Sequence, residues 1–67
     1  MEEIGKQIQL RRRELGLTQQ EAADLSGIGI NTLVAIERGK GNPSVGNLSK
    51  VADTLGLELR LELKKHR

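Results

Sequence analysis

The sequence has no cysteine, no phenylalanine, tyrosine or tryptophan, one histidine and one proline. Without cysteine no disulfide can brace the fold, and the absence fits a reducing compartment. Without a thiol or a second histidine, His66 has no companions for a structural zinc set. Without aromatic rings the core has to be Leu, Ile, Val and Ala, and the base stacking used by single-strand and RNA-recognition modules is disfavoured. No apolar run approaches the roughly 20 residues that span a bilayer. The start Met1-Glu2-Glu3-Ile4 is acidic and lacks the apolar core of a signal peptide. No nucleophile stands beside an orienting base. The glycines at 39, 41 and 46 lack the Gly-Lys-Ser/Thr ending of a phosphate loop and read as turns. The expectation is a cytoplasmic protein with no enzymatic chemistry, no metal or other cofactor and no membrane contact.

What remains is 67 residues, enough for one small domain. Domains of this size bury little of their surface and sit near the margin of stability, so a partner chain is the available route to more. Eleven basic and nine acidic residues leave a net charge of +2, which does not by itself select a partner. The distribution says more: Arg11, Arg12 and Arg13 form one cluster, Arg38 and Lys40 a second, and Lys64, Lys65 and Arg67 a third. Any one of these clusters reads equally as a solvated face.

Residues 2–15 are expected to form a first helix, with Ile4, Ile8 and Leu15 on one stripe and Arg11 laying its stem beside them with its head in water. Gly16 ends it. Thr18-Gln19-Gln20-Glu21 is a capping box that opens a second, short helix through Ala22, Ala23 and Leu25 to Gly27. A third helix is expected over 30–38, with Leu33 and Ile36 inside and Ile28 just before it. Gly39-Lys40-Gly41-Asn42-Pro43 is a loop. Ser44 caps a fourth helix whose apolar stripe is Val45, Leu48, Val51, Ala52 and Leu55, ended by Gly56.

The period then changes. Leu57, Leu59, Leu61 and Leu63 alternate with Glu58, Arg60, Glu62 and Lys64, the pattern of a half-buried strand. A lone strand cannot satisfy its own backbone groups, and the simplest partner is the same strand of a second copy, antiparallel about a two-fold axis. Charge selects the register. With Leu61 on the axis, Leu59 faces Leu63, Arg60 faces Glu62 and Glu58 faces Lys64. Centring on Arg60 sets Glu58 against Glu62, and centring on Glu62 sets Arg60 against Lys64. Like charges directly opposite destabilise a sheet. The other readings of 57–67 are an amphipathic tail lying on its own domain, or a continued helix with leucines spread all round it. The expected class is therefore mostly α, a four-helix domain over 1–56 followed by a dimerisation strand and tail over 57–67.

Leu15-Gly16-Leu17-Thr18-Gln19 with Glu21-Ala22-Ala23, then Gly27-Ile28, Ile36-Glu37-Arg38-Gly39-Lys40, Asn42-Pro43-Ser44 and the Leu48–Gly56 helix together resemble the Cro/XRE family of bacterial and phage repressors. The resemblance covers residues 4 to 56. It implies a helix-turn-helix that places the third helix in the major groove of double-stranded DNA. The reading positions are then Gly29, Ile30, Asn31, Thr32 and Ala35, where Asn31 suits adenine and Thr32 adds a hydroxyl. Gln19 falls on a phosphate-contacting position beside helix-end amides that suit an anion. Arg38, Lys40 and Asn42 match backbone-contacting positions, with Arg11 and Arg12 as further phosphate candidates. Arg12 and Glu37 match a buried ion pair that ties the first helix to the third. Two departures stand out. Ile30 and Val34 hold outward positions that are often polar in the family, suited to thymine methyls or to another protein surface. Gly29 replaces the usual Ser or Thr cap.

The usual family domain has a fifth helix where this chain has its Leu-rich strand. A strand there resembles the HipB-like antitoxins. That resemblance implies a homodimer on a near-palindromic operator and a HipA-like kinase toxin as partner. A stand-alone repressor, or a protein-interaction adaptor that no longer reads DNA, stays open beside it.

Overall fold

The computed structural model describes residues 2–60. Four helices follow one another along the chain: α1 (Glu2–Glu14), α2 (Gln19–Ser26), α3 (Ile30–Glu37) and α4 (Val45–Thr54). Short polar caps set the starts of α2 and α4. Thr18 Oγ1 accepts from the Glu21 amide at 3.0 Å and the Thr18 amide donates to Glu21 Oε1 at 2.8 Å, so two helix-end donors are satisfied reciprocally. Ser44 Oγ accepts from the Asn47 amide at 3.0 Å and opens α4. The helices end at Gly16, Gly27, Gly39 and Gly56, all at positive φ. Gly39 shapes the surface beside α3. At φ 71° it lets the Lys40 amide reach the Ala35 carbonyl at 2.9 Å, which turns the chain back along that helix.

The helices close around Ile8 of α1, Ala22 and Ala23 of α2, Leu33 and Ile36 of α3, Leu48 and Val51 of α4, and Leu55 just beyond α4. Each large aliphatic side chain taken fully out of water contributes roughly 1.5–3 kcal/mol. The α2 alanines carry no bulk beyond Cβ, which lets α2 lie against both α3 and α4. Ser26, buried on α2, donates to Thr54 Oγ1 at 3.0 Å and fastens the C-terminal ends of α2 and α4 together.

α1 crosses the end of α3 at Gly5. A Cβ built there would strike the Ile36 carbonyl oxygen and stand 3.0 Å from that of Glu37. Glycine is what allows the two backbones to meet.

Three expectations about the core change. Leu15 is 44% exposed, because α1 stops at Glu14 and Leu15 belongs to the turn. The buried residue one turn beyond Ile8 is Arg12, which a purely apolar pattern passes over. Val45 is 73% exposed, since as the first residue of α4 it projects past the neighbouring helices. Ile30 is half-buried and packs against the core, so it does not stand fully outward.

The head of Arg11 stays part-exposed but is also anchored. Its Nε donates to the Leu55 carbonyl at 2.9 Å, a cation on an open carbonyl at the end of α4. Beyond Gly56, the described residues 57–60 form no regular strand, and Leu61, Glu62, Leu63 and Lys64 lie outside the described residues. Among the described residues there is no strand for 57–60 to pair with, so their backbone has no ladder to join. Leu57 is half-buried, and Leu57 and Leu59 border a groove of about 200 Å³ with Ile4, Gln7, Ile8 and Ala52.

Candidate nucleic-acid interface

α3 begins without a side-chain cap, since Gly29 has none to offer. A Cβ at Gly29 would find only Thr32 Oγ1 at 3.9 Å, so the glycine is not required by crowding. The bare start leaves the first-turn amides of α3 open toward whatever approaches. Asn31 is exposed there, and Thr32, Val34 and Ala35 are half-buried along the same helix.

The loop after Gly39 returns along this face. Asn31, Thr32 and Ala35 of α3, Lys40, Gly41, Asn42 and Pro43 of the loop, and Ser44 and Asn47 at the start of α4 surround one concavity of about 480 Å³. Five residues expected from the sequence to contact DNA therefore border one hollow. Asn47 and Ser44 join them. Ser44 reads from the sequence only as a cap, and nothing local distinguishes Asn47 from any other polar helix residue. The lining contains one cation, Lys40, and no carboxylate. Arg38 is exposed at the end of α3. A site with amides, hydroxyls and a cation but no acid accepts an anionic backbone without repulsion.

The carboxylate at the end of α3 is removed from solvent. Glu37 has a fully buried side chain, and Arg12 meets it in a two-point pair, with Nε donating to Oε2 at 2.7 Å and Nη2 to Oε1 at 3.1 Å. Arg12 Nη1 donates to the Leu17 carbonyl at 2.8 Å. Arg12 is thereby buried and committed on all three nitrogens, so it is not the free phosphate contact that the sequence suggests. Its role is to tie α1 to α3 and to the turn before α2. Arg11, with its Nε on Leu55 and its Nη1 3.4 Å from Glu14, is likewise engaged at the far end of α4. Among the described residues, Arg38 and Lys40, which follow α3 directly along the chain, are exposed.

Gln19 opens α2 and is half-buried. Its Nε2 donates to Glu37 Oε1 at 3.1 Å, a bond between residues 18 apart that no local pattern announces. The first-turn amides beside it have no partner among the described residues once Thr18 has taken those of Glu21 and Ala22.

Two helices joined by the tight turn at Gly27, the second presenting an uncapped start and an acid-free hollow, form a helix-turn-helix. The Helix-turn-helix family profile matches residues 8–61. This chain belongs to the Cro/XRE-type helix-turn-helix family. It is 41% identical over 51 residues to an uncharacterized HTH-type transcriptional regulator of Methanothermobacter thermautotrophicus, covering 76% of this chain and 74% of that one. Over 55 residues it is 36% identical to the HTH-type transcriptional regulator PuuR of Escherichia coli, covering 82% of this chain but 30% of PuuR. Over 56 residues it is 36% identical to the immunity repressor protein of Bacillus phage phi105, covering 84% of this chain and 39% of that repressor. Among the described residues, no helix of this helix-turn-helix chain is long and apolar enough to cross a membrane, and no group of acids and histidines could hold a metal.

Proposed function

We propose that this helix-turn-helix chain is a sequence-specific repressor of transcription that binds double-stranded DNA as a homodimer in the cytoplasm and performs no chemistry. The observation that carries this reading is the acid-free hollow joining Asn31, Thr32 and Ala35 of α3 to Lys40 and Asn42 of the returning loop. α3 enters the major groove with Asn31 and Thr32 at base edges, while Gln19, Arg38, Lys40 and Asn42 hold the phosphates on either side. Gly29 and Ala35 allow the helix to approach closely. Ile30 and Val34, half-buried, contribute through their exposed edges to thymine methyls. The names of the phage immunity repressor and of PuuR as a transcriptional regulator support regulation as the outcome of binding.

Titration against the DNA upstream of its own gene, at several salt concentrations, tests the reading. Binding is expected to weaken steeply as salt rises, through counterion release. Asn31→Ala is expected to lower specific affinity by about 1–3 kcal/mol, while Lys40→Ala lowers affinity for specific and random DNA alike and flattens the salt dependence. Equal losses on both DNAs for Asn31→Ala would remove it from base reading. No binding even at low salt would favour an adaptor that docks protein on α3.

The dimer is formed by residues 57–64 paired antiparallel about Leu61. Leu59, 38% exposed over the groove beside Ile4 and Ala52, supports a second chain there, because its apolar face is only part-covered by its own domain. In this register Glu58 and Arg60, which lie 3.8 Å apart within one chain, each also face an opposite charge across the axis. Leu61→Cys is expected to form a disulfide-linked dimer on mild oxidation, since a residue on the axis meets its own copy. A chain that stays uncrosslinked while eluting as a dimer counts against this register. The same alternating segment supports the HipB-like subgroup, with a HipA-like kinase toxin as partner. A kinase-like gene beside this one, whose product co-purifies with it, is the expected observation. A stand-alone repressor is the conclusion if no such gene is there.

A further inference from the structure

We infer that Glu37, itself too deep to reach DNA, is a positioning residue that orients the Gln19 carboxamide for a phosphate; this rests on the DNA-binding reading above. Glu37 is fully buried, and its two oxygens accept three hydrogen bonds: Oε2 from Arg12 Nε, Oε1 from Arg12 Nη2 and from Gln19 Nε2. A carboxylate paired with a guanidinium only accepts. If the Gln19 carboxamide were turned over, its oxygen would oppose Glu37 Oε1, two acceptors facing each other without a proton between them. The chemistry of the partner therefore decides which end of the amide points inward.

The consequence lies on the outward side. Nε2 carries two hydrogens, and Glu37 takes one. Among the described residues the second has no acceptor; it sits on a nitrogen held by a fixed anion, at the first residue of α2 and beside the first-turn amides that have no partner there. These N–H groups form one donor set for a phosphate oxygen. A glutamine without this tether would present oxygen to the phosphate as readily as nitrogen and would lose rotamer freedom on binding. The Glu37 bond imposes the right orientation before DNA arrives. Arg12 completes the device, because its two-point pairing holds the carboxylate in one plane.

A double-substitution cycle read by fluorescence anisotropy tests this, using wild type, Gln19→Met, Glu37→Gln and the pair together, on labelled DNA from upstream of the gene. Circular dichroism confirms that each chain is folded at the temperature used. Gln19→Met is expected to weaken binding roughly tenfold, as for loss of a charge-assisted hydrogen bond. Glu37→Gln is expected to weaken binding several-fold alone and by less than about twofold when Gln19 is already Met, since a tether with nothing to hold has no effect. If Glu37→Gln does not fold, Arg12→Met with Glu37→Leu takes its place in the cycle and carries the same expectation. A second readout needs no DNA. In the free wild-type protein the two Gln19 side-chain amide protons are expected at widely separated ¹H shifts, collapsing toward the ordinary glutamine pair when residue 37 loses its charge. Wild-type affinity for Gln19→Met, equal losses from the residue 37 change in both backgrounds, or unchanged Gln19 amide shifts would each overturn the inference while DNA binding by the wild type stands. A wild type that binds no DNA at low salt overturns both.

Discussion

Glu37→Ala is expected to destabilise the fold by about 3–5 kcal/mol, because it strands the Arg12 guanidinium in the interior without its counter-charge. A chain of this length has a total stability of about 3–10 kcal/mol at the usual value per residue. The variant is thus expected to be largely unfolded, or close to it, at ambient temperature. The loss belongs to the unpaired charge and not to the ion pair as such. Arg12→Met combined with Glu37→Leu should therefore recover most of it, since apolar groups of similar size replace a buried pair at little cost. Urea denaturation of the three proteins checks this. If the double replacement unfolds at the same urea concentration as Glu37→Ala, the unpaired charge is not the cause.

Gly5→Ala is expected to lower stability by about 2–3 kcal/mol, although alanine is the better helix former by about 1 kcal/mol. The added methyl would run into the Ile36 carbonyl, a backbone atom that moves only if α1 shifts off α3. For a domain of this size a loss of that order lowers the melting temperature by roughly 10–20 °C. Gly46→Ala supplies the contrast. Gly46 also lies within a helix, but a Cβ there meets nothing nearer than Ser44 Oγ at 3.7 Å. That substitution is expected to raise stability by a few tenths to about 1 kcal/mol. Thermal melts of both variants give the two signs directly. A neutral or stabilising Gly5→Ala would mean that α1 and α3 do not pack this closely.

The two glycines show where sequence reasoning reaches and where it stops. Both are glycine within a helical run, and nothing in their immediate neighbours separates them. Gly5 differs only because α3, far along the chain, crosses it. The helix boundaries were legible because they depend on contacts within a turn. Thr18 with Glu21, Ser44 with Asn47 and the glycines after each helix act over three or four residues. The core was legible wherever an aliphatic residue sat between packed neighbours, as at Ile8, Leu33, Ile36, Val51 and Leu55. It failed at Leu15 and Val45, which keep the right period but have no neighbouring helix to cover them.

The candidate site divides in the same way. Asn31, Thr32, Lys40 and Asn42 could be named from a family resemblance, because motif spacing along the chain preserves them. The hollow they share with Asn47 exists only because the Gly39 turn brings the loop back against α3. The arginines of the first cluster are consecutive in the sequence and part company in the fold. Arg11 closes the end of α4, Arg12 neutralises Glu37, and Arg13 is left exposed.

By itself the sequence determined the four helices, their caps and stops, the aliphatic core and the membership of a helix-turn-helix family, since all of these are written in short-range spacing and side-chain type. The tertiary structure alone decided that Arg11 closes the end of α4, which glycine is irreplaceable, and that Gln19 is tethered to Glu37. Each of these depends on two segments far apart in sequence meeting at a distance of a few ångströms, and short-range spacing carries no record of that distance.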